Sequence, residues 1–462
     1  MFILLTCLVA GNSLILSQNM ELPAIFTDNM VLQQRSEVPI WGKATPFEKI
    51  KIKVSWNDTV YETTADDAGK WKLYVNTPPA GGPHQVDISS KWSNIALKNV
   101  LIGEVWMCSG QSNMEMPVAG WGKVDHFEQE VNQADYPQIR LFQTPQTASS
   151  QPLDQLQKLG KGWEICSPST IGEFSALAYF FGRDLHQHLQ VPIGLIHSSW
   201  GGTPVEAWTS AEALAETSDF RTISTAPDGQ SRHPAVLYNA MIHPFIPYAI
   251  RGVIWNQGEA NSDRPEQYKT LFPLLILDWR KQWGRDFPFY YTQLANYNAS
   301  SNEYWPELRE AQLEGLKLKD TGMAVTIDIG NPNDVHPKNK QMVASRLALW
   351  ARAHTYHENL TASGPVFESC TIEQHQIRLR FKYAEQWLQA YGETPLTGFT
   401  VAGPDRKFYA ATAVIEGNEI LVSAPEVKYP LAVRYAWENA PVCNLYNSAG
   451  LPASPFRTDS WK

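Results

Sequence analysis

The sequence predicts an α/β fold: a three-layer α/β/α domain built on a parallel sheet and flanked by N- and C-terminal all-β regions. Three observations carry this. From about Leu101, apolar strand-like runs alternate with amphipathic helical runs. Before that point the chain consists of short β-like runs separated by Pro, Gly, Asn and Asp clusters. After about Gly364 the helical runs stop and the β-rhythm returns.

The expected division is an export-signal segment over 1–20, a β-sandwich-like region over 21–100, a catalytic domain over 101–360 and a C-terminal β domain over 365–462. The opening run "MFILLTCLVAGNSLILS" is apolar enough for a secretory core but has no Lys or Arg before it. It reads as a degenerate or truncated signal for a secreted or periplasmic protein, with Cys7 in a lipoprotein-like setting. No later stretch is long and apolar enough for a membrane-spanning helix.

In the first β region the strands are "VPIWGKA", "KIKVSW", "WKLYVN" and "HQVDIS". In the middle domain, strands "VLIGEVWMCSG", "PIGLIHSSWGG", "IRGVIWNQGEA", "PFYYTQLA" and "GMAVTIDIG" alternate with helices "EFSALAYFFGRDLHQHL", "PEQYKTLFPLLILDWRKQW", "EYWPELREAQLEGLKL" and "KQMVASRLALWARAHTY". Near-continuous apolar strands between helices imply a sheet covered on both faces. The last region, "IRLRF" through "PFRTD", either forms its own sandwich or completes the first one.

The 462 residues are 43% hydrophobic and 18% charged, with a net charge of −9, which leaves no basic footprint for nucleic acid. Seventeen Trp residues would suit stacking on sugar rings, although most are expected in the core. The five Cys form no C-x-x-C pair, so no zinc or redox site is indicated, while up to two disulfides can form. No cofactor or metal is expected.

Ligands of an open parallel sheet collect beyond the carboxyl ends of its strands. Four such loops hold "SGQSNM", "SSWGGTPVEAW", "NQGEAN" and "DIGNPNDVHPKNK". Together they offer the parts of a serine hydrolase. A Ser hydroxyl needs a base and a group to orient that base; Ser112, His336 and Asp334 fill these roles. Oxyanion donors would come from the backbone at Ser112 and at Gly201 or Gly202, with a side-chain amide from Gln257 or Asn256, each donor being typically worth roughly 3 kcal/mol. Gln111, Asn113 and Glu259 are candidates for loop support or substrate contact. His197 reads as a packing residue, and Trp106, Trp121 and Trp208, which flank the blocks, are expected in the core by default although any of them could wall a sugar site.

The G-x-S-x-G elbow is absent. Instead "GEVWMCSGQSNMEMP", "WGGTPVEAW", "WNQGEAN" and "DVHPKNKQ", in that order, resemble the SGNH (GDSL-like) hydrolase superfamily, and within it the sialate O-acetylesterase family of carbohydrate acetylesterases. The flanking "LPAIFTDNMVLQQ" and "VRYAWENAPVCNLYNSAGLPASPFRTD" are similar to that family as well. The resemblance places the nucleophile at Ser112, the second-block glycine at Gly202 or Gly201, the third-block amide at Gln257 and the base at His336.

The superfamily's acid lies three residues before the His, but that position here is Asn333. Asp334, two before, could reach the imidazole through a turn; otherwise a backbone carbonyl or Asp328 would orient His336. The activity implied is removal of acetyl groups from O-acetylated sialic acids by an acyl-enzyme route, with Arg232, Arg251 and Arg264 as candidates for the substrate carboxylate. An acetylesterase for xylan or another plant polysaccharide is the alternative, and a carbohydrate-binding protein with an inactive hydrolase core is the reading from another class.

Overall fold

The structure is a computed structural model that describes residues 20–220, 230–384, 386–392 and 395–461. Apart from Met20, the expected export segment, Cys7 included, lies outside the described residues. Seven strands form the central sheet: β1 (Asn94–Gly110), β2 (Tyr136–Gln143), β3 (Trp163–Cys166), β4 (Ile193–Ser199), β5 (Gly252–Asn256), β6 (Phe289–Thr292) and β7 (Thr321–Ala324), in the order β7-β6-β5-β1-β4-β2-β3. All pairings are parallel except that of the edge strand β3 with β2.

The sheet is apolar on both faces, as a parallel sheet between helices must be. Trp106 and Cys108 of β1 point into a core shared with Leu177, Phe181, Leu347 and Trp350 from helices α2 (Ala176–Leu189) and α5 (Lys340–Trp350). Val105 and Met107 point the other way, toward Phe272, Trp279 and Leu308 from helices α3 (Pro265–Trp283) and α4 (Trp305–Gln312). Three layers result. The N-terminal β residues, among them Ile40, Ile52 and Val86, belong to this second core.

Strand β1 is the structural axis. Its first part pairs antiparallel with Gly81–Ser89 of the N-terminal region, and its second part lies in parallel between β4 and β5. The expected boundary near residue 100 therefore falls inside one continuous strand of 17 residues. The C-terminal region builds two four-stranded antiparallel sheets of its own around a separate core that includes Leu379, Val401 and Tyr435. Fully buried Arg309 of α4 staples it to the middle domain, donating to the carbonyls of Leu294, Ala295, Glu438 and Asn439 at 2.7–2.9 Å.

Two expectations need correction. The sheet has seven strands rather than five: Pro137 and Arg140 break the apolar run of β2, and β3 spans only four residues at an edge, so neither carries a strand signature. No disulfide exists among the described cysteines, since Cys108, Cys166, Cys370 and Cys443 are all free thiols.

Candidate active site

The sheet reverses its direction of growth at β1, whose neighbours are β4 on one side and β5 on the other. That is where a crevice opens beyond the carboxyl ends. The three strands end in step, with Gly110 opposite both Ser199 and Asn256. Gly110 has φ +141°, and a Cβ there would lie 2.1 Å from the Asn256 carbonyl oxygen, so only glycine lets β1 and β5 close up at this point. The N–H of Gln111 then donates to Asn256 O at 2.9 Å and that of Trp200 to Gly110 O at 3.2 Å. All three loops are brought to one edge.

After Gln111 the chain turns into the one-turn helix α1 (Ser112–Glu115). Ser112, its first residue, is partly exposed, and among the described residues its hydroxyl makes no hydrogen bond. Its neighbours are fixed on every side. Gln111 Oε1 accepts from Ala260 N at 3.2 Å, and Ser175 Oγ donates to Met114 O at 2.6 Å. Asn113 Nδ2 donates to Glu259 Oε1 at 2.5 Å and to Val335 O at 3.0 Å, while its Oδ1 accepts from Lys340 Nζ at 2.6 Å.

Val335 immediately precedes His336, so the Asn113 contact ties the serine loop to the histidine loop at adjacent positions. His336 stacks edge-on against Trp121, with ring centroids 5.1 Å apart, and its Nε2 is enclosed without a partner among the described residues. Burial first of all, then the charge of Lys340, hold the imidazole pKa below that of an ordinary histidine, against the upward pull of Asp334.

Asp334 reaches the imidazole by a turn: its N–H donates to Asn331 O at 3.1 Å, and Asn333 N donates to Asn331 Oδ1 at 2.9 Å. Asp334 Oδ1 lies 3.5 Å from His336 Nδ1 and accepts the His336 backbone N–H at 2.9 Å. Asp328, the other carboxylate considered, is committed elsewhere, to Arg346 at 2.6 and 2.7 Å and to Tyr446 at 2.9 Å.

The glycine pair divides. A Cβ on Gly201 would approach Ser112 Cβ to 3.3 Å, so this turn packs directly on the serine. The Gly201 N–H, however, donates to Glu115 Oε2 at 2.5 Å, which withdraws it from the oxyanion role considered above. Gly202, with φ +70°, has no hydrogen bond to its N–H among the described residues. Buried Gln257 is also engaged: its Nε2 donates to Asn261 Oδ1 at 2.7 Å and to Thr203 O at 3.3 Å, while Oε1 accepts from Tyr268 at 3.0 Å. To serve an oxyanion it must release the longer of its two donated bonds.

The arginines separate as well. Arg251 precedes β5, at the opposite end of the sheet, and pairs with Glu104 at 2.5 Å; Arg264 pairs with Glu206 at 3.0 Å. Exposed Arg232 donates to the Gly202 carbonyl, beside the serine. His197 is a buried packing residue between Gln143 Oε1 and Ser199 Oγ at 2.7 and 2.6 Å, its pKa driven down to about 3 by burial. Trp106 and Trp208 are core residues, whereas Trp121 is 56% exposed.

Sequence reasoning missed Glu115 and Lys340. The first was detectable as an acid three positions after Ser112 on a helical turn. The second had no signal, since a lysine at the start of an amphipathic helix reads as a surface residue.

The three-layer fold, with a serine and a histidine–aspartate pair converging on one carboxyl edge, defines a carboxylic-ester hydrolase. The family model for carbohydrate esterases described as sialic acid-specific acetylesterases matches residues 102–349. The chain is 32% identical over 477 residues to the sialate O-acetylesterase of Homo sapiens, covering 93% of this chain and 90% of that protein. The Mus musculus sialate O-acetylesterase is likewise 32% identical, with 94% and 93% covered. The crystal structure of a carbohydrate acetylesterase from Xanthomonas citri superposes with a TM-score of 0.89 at 38% identity, covering 96% of this chain and all of that one. The chain belongs to the sialic acid-specific acetylesterase family of carbohydrate esterases.

Proposed function

We propose that the protein is a carbohydrate O-acetylesterase that removes acetyl groups from O-acetylated sialic acids, at the hydroxyls of the glycerol side chain, through a Ser112 acyl-enzyme. Ser112 attacks the acetyl carbonyl while His336 Nε2 takes its proton; His336 then protonates the departing sugar oxygen and activates the water that releases acetate. Asp334 orients the imidazole. The N–H groups of Ser112 and Gly202 receive the oxyanion, joined by Gln257 once its bond to Thr203 yields. Gln111, Asn113 and Glu259 support the loops.

The observation that carries this reading is the Asn113–Val335 bond of 3.0 Å, which ties the loop bearing Ser112 to the loop bearing His336 through residues adjacent to each. Two features favour a sialate: Arg232 beside Gly202 offers a guanidinium to the sugar carboxylate, and Trp121 offers an exposed ring face next to His336. The apolar opening run supports export to the periplasm or beyond.

Acetate release from O-acetylated sialic acid and from acetylated xylan, by wild type and Ser112→Ala, tests the proposal. Faster release from the sialate, abolished in the folded variant, is expected. Preference for xylan would replace the substrate, and turnover by Ser112→Ala would remove the mechanism.

A further inference from the structure

Beneath the serine lies a charged group that the mechanism above leaves unused. Lys340, the first residue of α5, is only 1% exposed. A buried ammonium is costly unless it is paired and hydrogen-bonded. Among the described residues its bonded partner is Asn113 Oδ1, at 2.6 Å. Beyond that amide, Asn113 Nδ2 binds Glu259 Oε1 at 2.5 Å, and Glu259 Oε2 is sealed from solvent without a partner among the described residues. Lys340 and Glu259 also line a cavity of about 20 Å³, together with Asn256, Thr292, Gln293 and Thr326.

Asn113 is well suited to this position. Its amide oxygen accepts from the cation, while its amide nitrogen donates to the carboxylate and to Val335 O. One side chain thus joins four segments: the serine loop, the loop after β5, the histidine loop and the start of α5. The serine and histidine loops are tied to one another through this amide, which stands between a buried lysine and a buried carboxylate.

We propose that Lys340 is a positioning residue for the esterase reaction, holding the Ser112 and His336 loops in register through Asn113 with Glu259 as its counter-charge. This rests on the catalytic roles assigned to Ser112 and His336 above. The carboxylates of Glu259 and Asp334 oppose the burial that draws the Lys340 pKa down to about 7, and burial in turn raises the pKa of Glu259. The Lys340 charge in turn disfavours protonation of His336, adding to the effect of burial.

The test is the pH profile of kcat/KM on p-nitrophenyl acetate for wild type, Lys340→Met and the double variant Lys340→Met/Glu259→Gln. The single variant strands a buried carboxylate. The double variant removes both charges and keeps an acceptor for Asn113, so its profile is the decisive one. A loss in kcat on the order of 10²-fold, the usual cost of a small displacement of reacting groups, is expected with a smaller change in KM. The acid limb should move to higher pH in the same variant. A folded double variant with the wild-type profile overturns the proposal, and so does a uniform loss with the acid limb unmoved. Turnover by Ser112→Ala would instead overturn the catalytic assignment on which this rests.

Discussion

Asp334 Oδ1 accepts the backbone N–H of His336 at 2.9 Å while lying 3.5 Å from Nδ1 of the same residue. One carboxylate oxygen thus serves both the turn and the imidazole, and the ring contact is the longer. A loose, partly exposed orienting group contributes less than a buried, tightly bonded one. Asp334→Asn is therefore expected to lower kcat by about 10²-fold, short of the roughly 10⁴-fold seen when a buried triad acid is neutralised. Steady-state kinetics on p-nitrophenyl acetate measures this.

The pH dependence has a definite sign. In the proposed role of base His336 must be neutral, and burial with the Lys340 charge holds its pKa below the ordinary histidine value. Activity is expected to rise with pH along an acid limb centred below that value. Asp334 favours the protonated ring, so Asp334→Asn should push the limb lower still, opposite to the effect of removing Lys340. Profiles of kcat/KM between pH 4 and 8, a window of about four units around the ordinary histidine value, distinguish the two directions.

Arg232 predicts substrate selectivity. A charge-assisted bond to a carboxylate is typically worth about 1.5–3 kcal/mol. Arg232→Met should lower kcat/KM for an O-acetylated sialic acid at least about tenfold more than for p-nitrophenyl acetate. The ratio of the two rates is the readout, because the arginine also steadies the Gly202 carbonyl.

Gly110→Ala is expected to damage both fold and rate. The added Cβ would lie 2.1 Å from Asn256 O, so β1 and β5 must part at the point where Gln111 N bonds Asn256 O. Overpacking of this kind costs about 1–3 kcal/mol, and the positive φ adds strain. Chemical denaturation should show the loss, with a fall in kcat larger than the fall in stability explains.

Arg309→Met would remove the donor shared by the carbonyls of Leu294, Ala295, Glu438 and Asn439, of which, among the described residues, only Ala295 and Asn439 keep another, from Trp305 Nε1 and Tyr297 N–H. Burial already draws the guanidinium pKa down to about 9. A destabilisation of about 3–5 kcal/mol is expected, and calorimetry should show the C-terminal region melting separately from the rest.

Much of this was legible in the sequence where burial leaves a simple signature. The run of β1 after Glu104 and those of β4 and β5 are largely apolar stretches ending in polar loops, so the parallel sheet and the loops that hold Ser112, Gly201, Gly202 and Gln257 could be read. Strand β2 could not: Arg140 lies in its interior, where it is buried by donating to the carbonyls of Asn29, Pro137 and Asn99. Partners as distant in the chain as Asn29 and Asn99 have no local trace. The same holds within the site. Which of two adjacent glycines keeps a free N–H depends on Glu115 folding back, and the choice of Asp334 over Asp328 depends on Arg346 having taken the latter.

The unbroken course of β1 from Asn94 to Gly110 has a consequence for how the molecule comes apart. A domain joined by a linker can be trimmed away or can open while its neighbour keeps working. Here the segment that leads into Ser112, the proposed nucleophile, is anchored at its far end in an antiparallel hairpin, so fraying upstream withdraws the support of the proposed site. The described residues before Asn94 behave as a foundation of the enzyme rather than as an appendage to it.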